Sequence, residues 1–204
     1  MITAILAAAV AAQPVGLPAL PAARSAAEDV AQVSTDVCYR LATGELRWSA
    51  SNVSEQIAQV EAADLEYGAR GEVFDSLGGA GRMMVNRATM ASRSNGDFHL
   101  VLANGGSMAG CRVMLAGDEL PGTADEVGAA LVKAGWTFLP ETTETRGALE
   151  RRLFIRFGPN DEPYIANLMV VSDPSARLRL FTTVAKVPPN VRLPAGLAPP
   201  PSRP

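Results

Sequence analysis

His99 is the only histidine in the chain, so any serine–histidine catalysis and any histidine-ligated metal centre must run through it. It stands in the run Phe98-His99-Leu100-Val101-Leu102, where alternation puts it on the opposite side of a strand from Phe98 and Leu100. The sequence sets no serine or aspartate beside it, so a surface or edge histidine is the expected role. The two cysteines, Cys38 and Cys111, lie 73 positions apart (111 minus 38) and form no Cys-x-x-Cys pair. In an exported chain two such thiols are expected to be joined. Closing a loop of that size stabilises a fold by about 4 kcal/mol in the chain-entropy model. With both cysteines joined, zinc is not expected, and no other metal or cofactor is predicted.

The acidic neighbours carry little chemistry. Asp118-Glu119 and Asp161-Glu162 stand in turns, and Asp125-Glu126 stands in the first turn of a helix, where carboxylates favour the dipole. The cluster Gly78-Gly79-Ala80-Gly81 before Arg82 has amides that could cradle an anion. It lacks the Gly-x-Gly-x-x-Gly spacing, however, and follows a helix rather than a strand, which makes it a connector. One constellation remains. If Leu153, Ile155, Leu178, Leu180 and Val184 face the helices, then Arg152, Phe154 and Arg156 on one strand and Arg177, Arg179 and Phe181 on another share the opposite face. Arg112 and His99 join them. Arginine beside phenylalanine is enriched where partners bind, since one supplies forked donors and the other area. Arg112, Arg152, Phe154, Arg156, Arg177, Arg179 and Phe181 are therefore the predicted binding residues, the plain alternative being a sheet face that is charged because it is wet.

These side chains need elements to hold them. Asp97 to Gly117 reads as a β-hairpin, with Phe98, Leu100 and Leu102 alternating on one arm and Cys111, Val113 and Leu115 on the other, around Asn104-Gly105-Gly106-Ser107. Before it, Ser25 to Leu41 carries Val30, Val33, Val37, Cys38 and Leu41 on one helical stripe, so a disulfide would pin this helix to the hairpin. Asn52 and Glu55 have capping-box spacing for a second helix to about Glu66; the cap accounts for Asn52 without the glycan that Asn52-Val53-Ser54 also permits. Val73, Phe74 and Leu77 tuck a short turn onto the core. Arg82 to Met90 alternates as a strand leading to a turn at Asn95-Gly96, and Thr123 with Glu126 caps a helix ending near Gly135. Trp136, Phe138 and Leu139 form an apolar connector, Pro140 to Gly147 a polar loop, and Leu149 to Phe157, Tyr164 to Val171 and Leu178 to Val187 three further strands. The order helix-helix-βββ-α-βββ defines an α+β fold: an antiparallel sheet of about six strands with helices packed on one face.

A chain of 204 residues, 48% hydrophobic and 19% charged, suits one well-buried core. Its net charge of -3 gives no general attraction for nucleic acid or an anionic membrane. Residues 1–12, MITAILAAAVAA, match a signal-peptide apolar region with small residues before Gln13 and are too short to span a bilayer. Residues 13–24 form a linker rich in proline and alanine, 25–187 a single domain, and 188–204 a proline-rich, disordered tail.

The leader, a cysteine in the first helix, a glycine-rich break and the strand pair Gly96-Asp97-Phe98-His99-Leu100-Val101-Leu102 with Gly110-Cys111-Arg112-Val113 resemble small proteobacterial envelope proteins of the periplasm that carry no assigned activity. The resemblance covers roughly Cys38 to Val187 at the level of pattern and implies only an envelope location and a disulfide. The expectation is a secreted or periplasmic binding module, non-enzymatic, that takes an acidic or carbohydrate-like ligand or a protein partner through the Arg/Phe face. The alternatives are a scaffold or accessory subunit of an envelope assembly and a hydrolase using His99.

Overall fold

The computed structural model describes residues 25–48, 53–61, 65–68, 71–95, 98–106, 109–117, 124–189, 191, 193 and 197. The expected leader 1–12, the linker 13–24, the caps at Asn52 and Thr123, the turn at Gly96 and most of the tail 188–204 lie outside these.

Ser25 opens the first helix, α1 (Ala26–Val33), through a reciprocal cap. Its side chain accepts from the Glu28 N–H at 3.2 Å, while the Glu28 carboxylate accepts from the Ser25 N–H at 3.3 Å. The helix then widens into a π-helical segment, Ser34–Tyr39, before closing as α2 (Arg40–Thr43). A π turn advances by a smaller angle per residue than an α turn. Val37, Cys38 and Tyr39, three residues in succession, are consequently all buried. Cys38 meets Cys111 there in a disulfide with Cα atoms 5.2 Å apart, and Ser34 Oγ lies 2.7 Å from Thr182 Oγ1 inside the core.

The remaining elements are α3 (Val53–Glu61), β1 (Glu66–Tyr67), α4 (Glu72–Ser76), α5 (Gly78–Met84), β2 (Thr89–Asn95), β3 (Phe98–Asn104), β4 (Cys111–Gly117), α6 (Ala124–Lys133), β5 (Thr137–Arg146), β6 (Leu149–Phe157), β7 (Pro163–Val171) and β8 (Leu178–Lys186). The strands form one antiparallel sheet in the order β1-β2-β3-β4-β8-β7-β6-β5. It is two four-stranded meanders joined through their last members, β4 and β8. On one face Leu100, Leu102, Val113, Leu115, Phe154 and Leu168 pack under α1, the π-helical segment and α6. On the other, Val101, Ala103, Met114 and Ala116 pack under Leu77 and Val85, from around α4 and α5.

The α+β class and the antiparallel sheet are as expected; three details differ. Among the described residues the strands number eight rather than about six, because Glu66, expected at the end of a helix, pairs with β2 together with Tyr67, and β5 takes up the expected connector at Phe138 and Leu139 and the expected loop from Pro140. An edge strand needs backbone partners on one side only, so a polar sequence such as Glu141 to Arg146 suffices there. Arg82 to Met84 are helical, and the strand expected from Arg82 begins at Thr89. Tertiary packing overrides the weak helix propensity of the glycines: Gly81 sits so close that a Cβ there would stand 2.8 Å from Leu77 Cβ and 3.5 Å from Leu178 Cδ2. Finally, helices cover both faces of β3 and β4, because Val101, Ala103, Met114 and Ala116 are as apolar as the residues they alternate with.

Candidate functional site

The seven predicted binding residues do not share one surface. Register pairs Arg152 with Leu168, Phe154 with Ala166 and Arg156 with Tyr164, all on the helix-covered side. Phe154, expected to be an exposed ring, is 1% exposed. It packs on Phe138, ring centroids 5.2 Å apart, and on α6, where a Cβ at Gly128 would lie 3.3 Å from its Cζ. Arg152 bonds Asp125 Oδ1 on α6 at 2.7 Å and Glu150 Oε1 at 2.5 Å. Burial works against its charged form, but the two carboxylates more than offset this and its pKa is raised. Arg156 donates to Ala134 O at 3.2 Å, and its guanidinium lies 4.5 Å from the centre of the Tyr39 ring. Tyr39 in turn stands edge-on to Trp136 and Tyr164. The aliphatic stems of these arginines run over apolar core while their heads reach polar partners; both hold α6 and the π-helical segment onto the sheet.

The other four belong to the opposite face or to turns. Arg112 is 0% exposed and donates to Ala109 O at 3.3 Å and Gly105 O at 2.6 Å, closing the β3–β4 turn. Desolvation pushes its pKa down. Arg179 donates to Ala176 O and Pro174 O, bracing the β7–β8 turn. Arg177 donates to Asp75 O at 3.4 Å, next to α5. Only Phe181 presents a half-buried ring to the second face, beside Met114 and Met169. Of the residues expected to face the helices, Leu180 and Val184 do so, Leu178 joins the cluster under α5, and Leu153 and Ile155 point away.

Other side chains, not expected from the sequence, take their place on the second face. Arg151, Met169 and Phe181 form one row across β6, β7 and β8; Leu153, Asn167 and Thr183 form the next, and Ile155, Ile165 and Ala185 the third. Leu153, Ile165 and Met169 are half-buried and belong to neither core cluster. Arg151 Nε donates to Asn167 Oδ1 at 3.3 Å, which fixes a polar pair among them. Phe181, at the border, packs on the cluster under α4 and α5; the rest of these rows lies outside both core clusters, and together they are the candidate site.

His99 also points to the second face, and Ser94 on the neighbouring strand places Oγ 2.9 Å from its Nδ1. Cross-strand register makes this pair, which the sequence alone does not bring together. On the other face α1 and α6 enclose a groove of about 410 Å³ lined by Ala31, Thr35, Asp36, Ala130 and Ala134. At its side Lys133 Nζ stands 3.6 Å from Glu28. The Ser25 N–H and then Lys133 hold the Glu28 carboxyl below its ordinary range. Among the described residues no three His, Cys, Asp or Glu side chains are grouped to hold a metal ion, and no helix is long and apolar enough to cross a membrane. Comparison of the chain with protein-family models, with curated proteins and with solved structures finds no match in any of the three.

Proposed function

We propose that the protein is an exported binding module, non-catalytic, that engages a protein partner in the envelope through the second face of β6, β7 and β8. The observation that carries this reading is the pair of half-buried apolar side chains Leu153 and Met169, outside both core clusters and set around the Arg151–Asn167 pair, with Phe181 of the neighbouring cluster at their border. A contiguous apolar patch with a few fixed polar groups suits a protein surface better than a charged or sugar ligand. The disulfide fits an oxidising compartment. A photo-crosslinking residue at Met169, in cells producing the full chain, should yield an adduct of one discrete mass that disappears with Leu153→Glu. The same residue at Val132, exposed on α6, should not yield it. Equal adducts at both positions, or none at Met169, would refute the proposal.

A hydrolase reading has one observation in its favour, the contact between Ser94 and His99. Its test is hydrolysis of p-nitrophenyl acetate faster than in buffer alone, abolished by Ser94→Ala.

A further inference from the structure

On the second face two side chains are more buried than the helices explain. Ile155 is 1% exposed and Leu139 3%, yet neither belongs to either core cluster. Register sets Ile155 beside Ile165 and Ile165 beside Ala185, a row at the end of the sheet where β8 finishes. The chain leaves the sheet at this same end. Val187 is buried and its N–H donates to Pro163 O at 2.9 Å, which ties the first residue after β8 to the start of β7. Pro188 and Pro189 follow, and each fixes its own φ near that of extended polyproline backbone. Past them the apolar residues differ in exposure: Val191 is 50% exposed, whereas Leu193 and Leu197 are half-buried. None of the three lies in a helix or strand, so the two leucines owe their cover to packing against another part of the protein.

The geometry points to the C-terminal segment as the cover: we propose that it folds back across the second face and seats Leu193 and Leu197 over Ile165, Ile155 and Leu139. Crossing from β8 to β5 takes three strand spacings, about 14 Å. The ten residues from Val187 to Leu197 reach about 31 Å in polyproline geometry, ample for the crossing. Proline-rich extended chain suits such a face because little conformational entropy is lost when it docks. The segment covers the Ile155 row, reaches the Leu153 row at Leu139 and leaves the row of Arg151, Met169 and Phe181 open; the inference does not rest on the binding reading.

Methyl-labelled full-length protein tests it directly. Nuclear Overhauser contacts are expected between the Ile155 or Ile165 methyls and those of Leu193 or Leu197. The pair Leu193→Asp with Leu197→Asp should shift the Ile155 and Ile165 methyl resonances and leave Leu100 and Leu131, in the core on the opposite face, in place. Contacts from Ile155 to residues 13–24 instead, or to a second copy in an isotope-filtered experiment, would overturn the proposal. So would unchanged Ile155 and Ile165 resonances in the double variant. None of these readouts involves a partner, so the result stands apart from the crosslinking experiment.

Discussion

Arg156 illustrates how a charged side chain can be structural. Its head lies over the Tyr39 ring and bonds the carbonyl at the end of α6, so Arg156→Glu should destabilise the protein by about 1–2 kcal/mol, the range of a partly desolvated cation–π contact. Urea unfolding would measure this, and the same substitution at a solvated arginine would cost almost nothing. Phe154→Ala should cost more, about 3–5 kcal/mol, because a fully buried ring leaves a cavity beneath α6. Acid sensitivity has its origin in exposed carboxylates. Lys186 first, with a further bond from Tyr164, holds the Glu162 carboxyl below its ordinary range. Hydrogen bonds from the Ser175 side chain and backbone do the same for Asp173. A carboxyl whose pKa is lower in the folded than in the unfolded chain stabilises the fold above the unfolded value, and that contribution is lost as pH falls through the folded value. Unfolding midpoints should thus decline on acidification below the ordinary carboxylate range, with a shallower slope in Glu162→Gln.

At the scale of elements, Gly81 gives a prediction of reversed sign. In an exposed helix glycine to alanine would gain about 1 kcal/mol. In α5 the new methyl would meet Leu77 Cβ at 2.8 Å, so Gly81→Ala should lower the thermal midpoint. The same packing explains why α5 could not be read from a Gly-Gly-Ala-Gly sequence. Much else was legible: the hairpin of β3 and β4, the extents of β6, β7 and β8 to within a residue, and the pairing of Cys38 with Cys111. Which way each strand faces was not. Phe157 opposes Pro163 and Tyr164 opposes Lys186, so even-numbered residues on β6, β7 and β8 share a face over most of their length. Pairing odd residues of β6 with even residues of β8 violates both registers, and this is why the expected Arg/Phe constellation divides between two faces. The π-helical turn left no trace either, since its apolar residues also fit a stripe of threes and fours.

For the whole molecule, the disulfide links the first helical segment to the sheet's central strand across 73 positions. Cys38→Ser with Cys111→Ser should lower stability by about 2–5 kcal/mol. Reduced wild-type protein should unfold at the same urea concentration as the double variant, which separates loss of the bond from loss of the thiol side chains. The two-meander plan has a consequence in time. β4 finds its outer neighbour only in β8, which starts 61 positions later (178 minus 117). As the chain emerges from its N-terminal end, the first meander can close and oxidise while β8 does not yet exist, leaving the outer backbone edge of Cys111–Gly117 unsatisfied. A second nascent copy at the same stage offers the same edge, and edges of that kind template one another. Fast overproduction should therefore yield strand-exchanged dimers and insoluble aggregates of otherwise native-like chains, and slowing synthesis should restore the monomer.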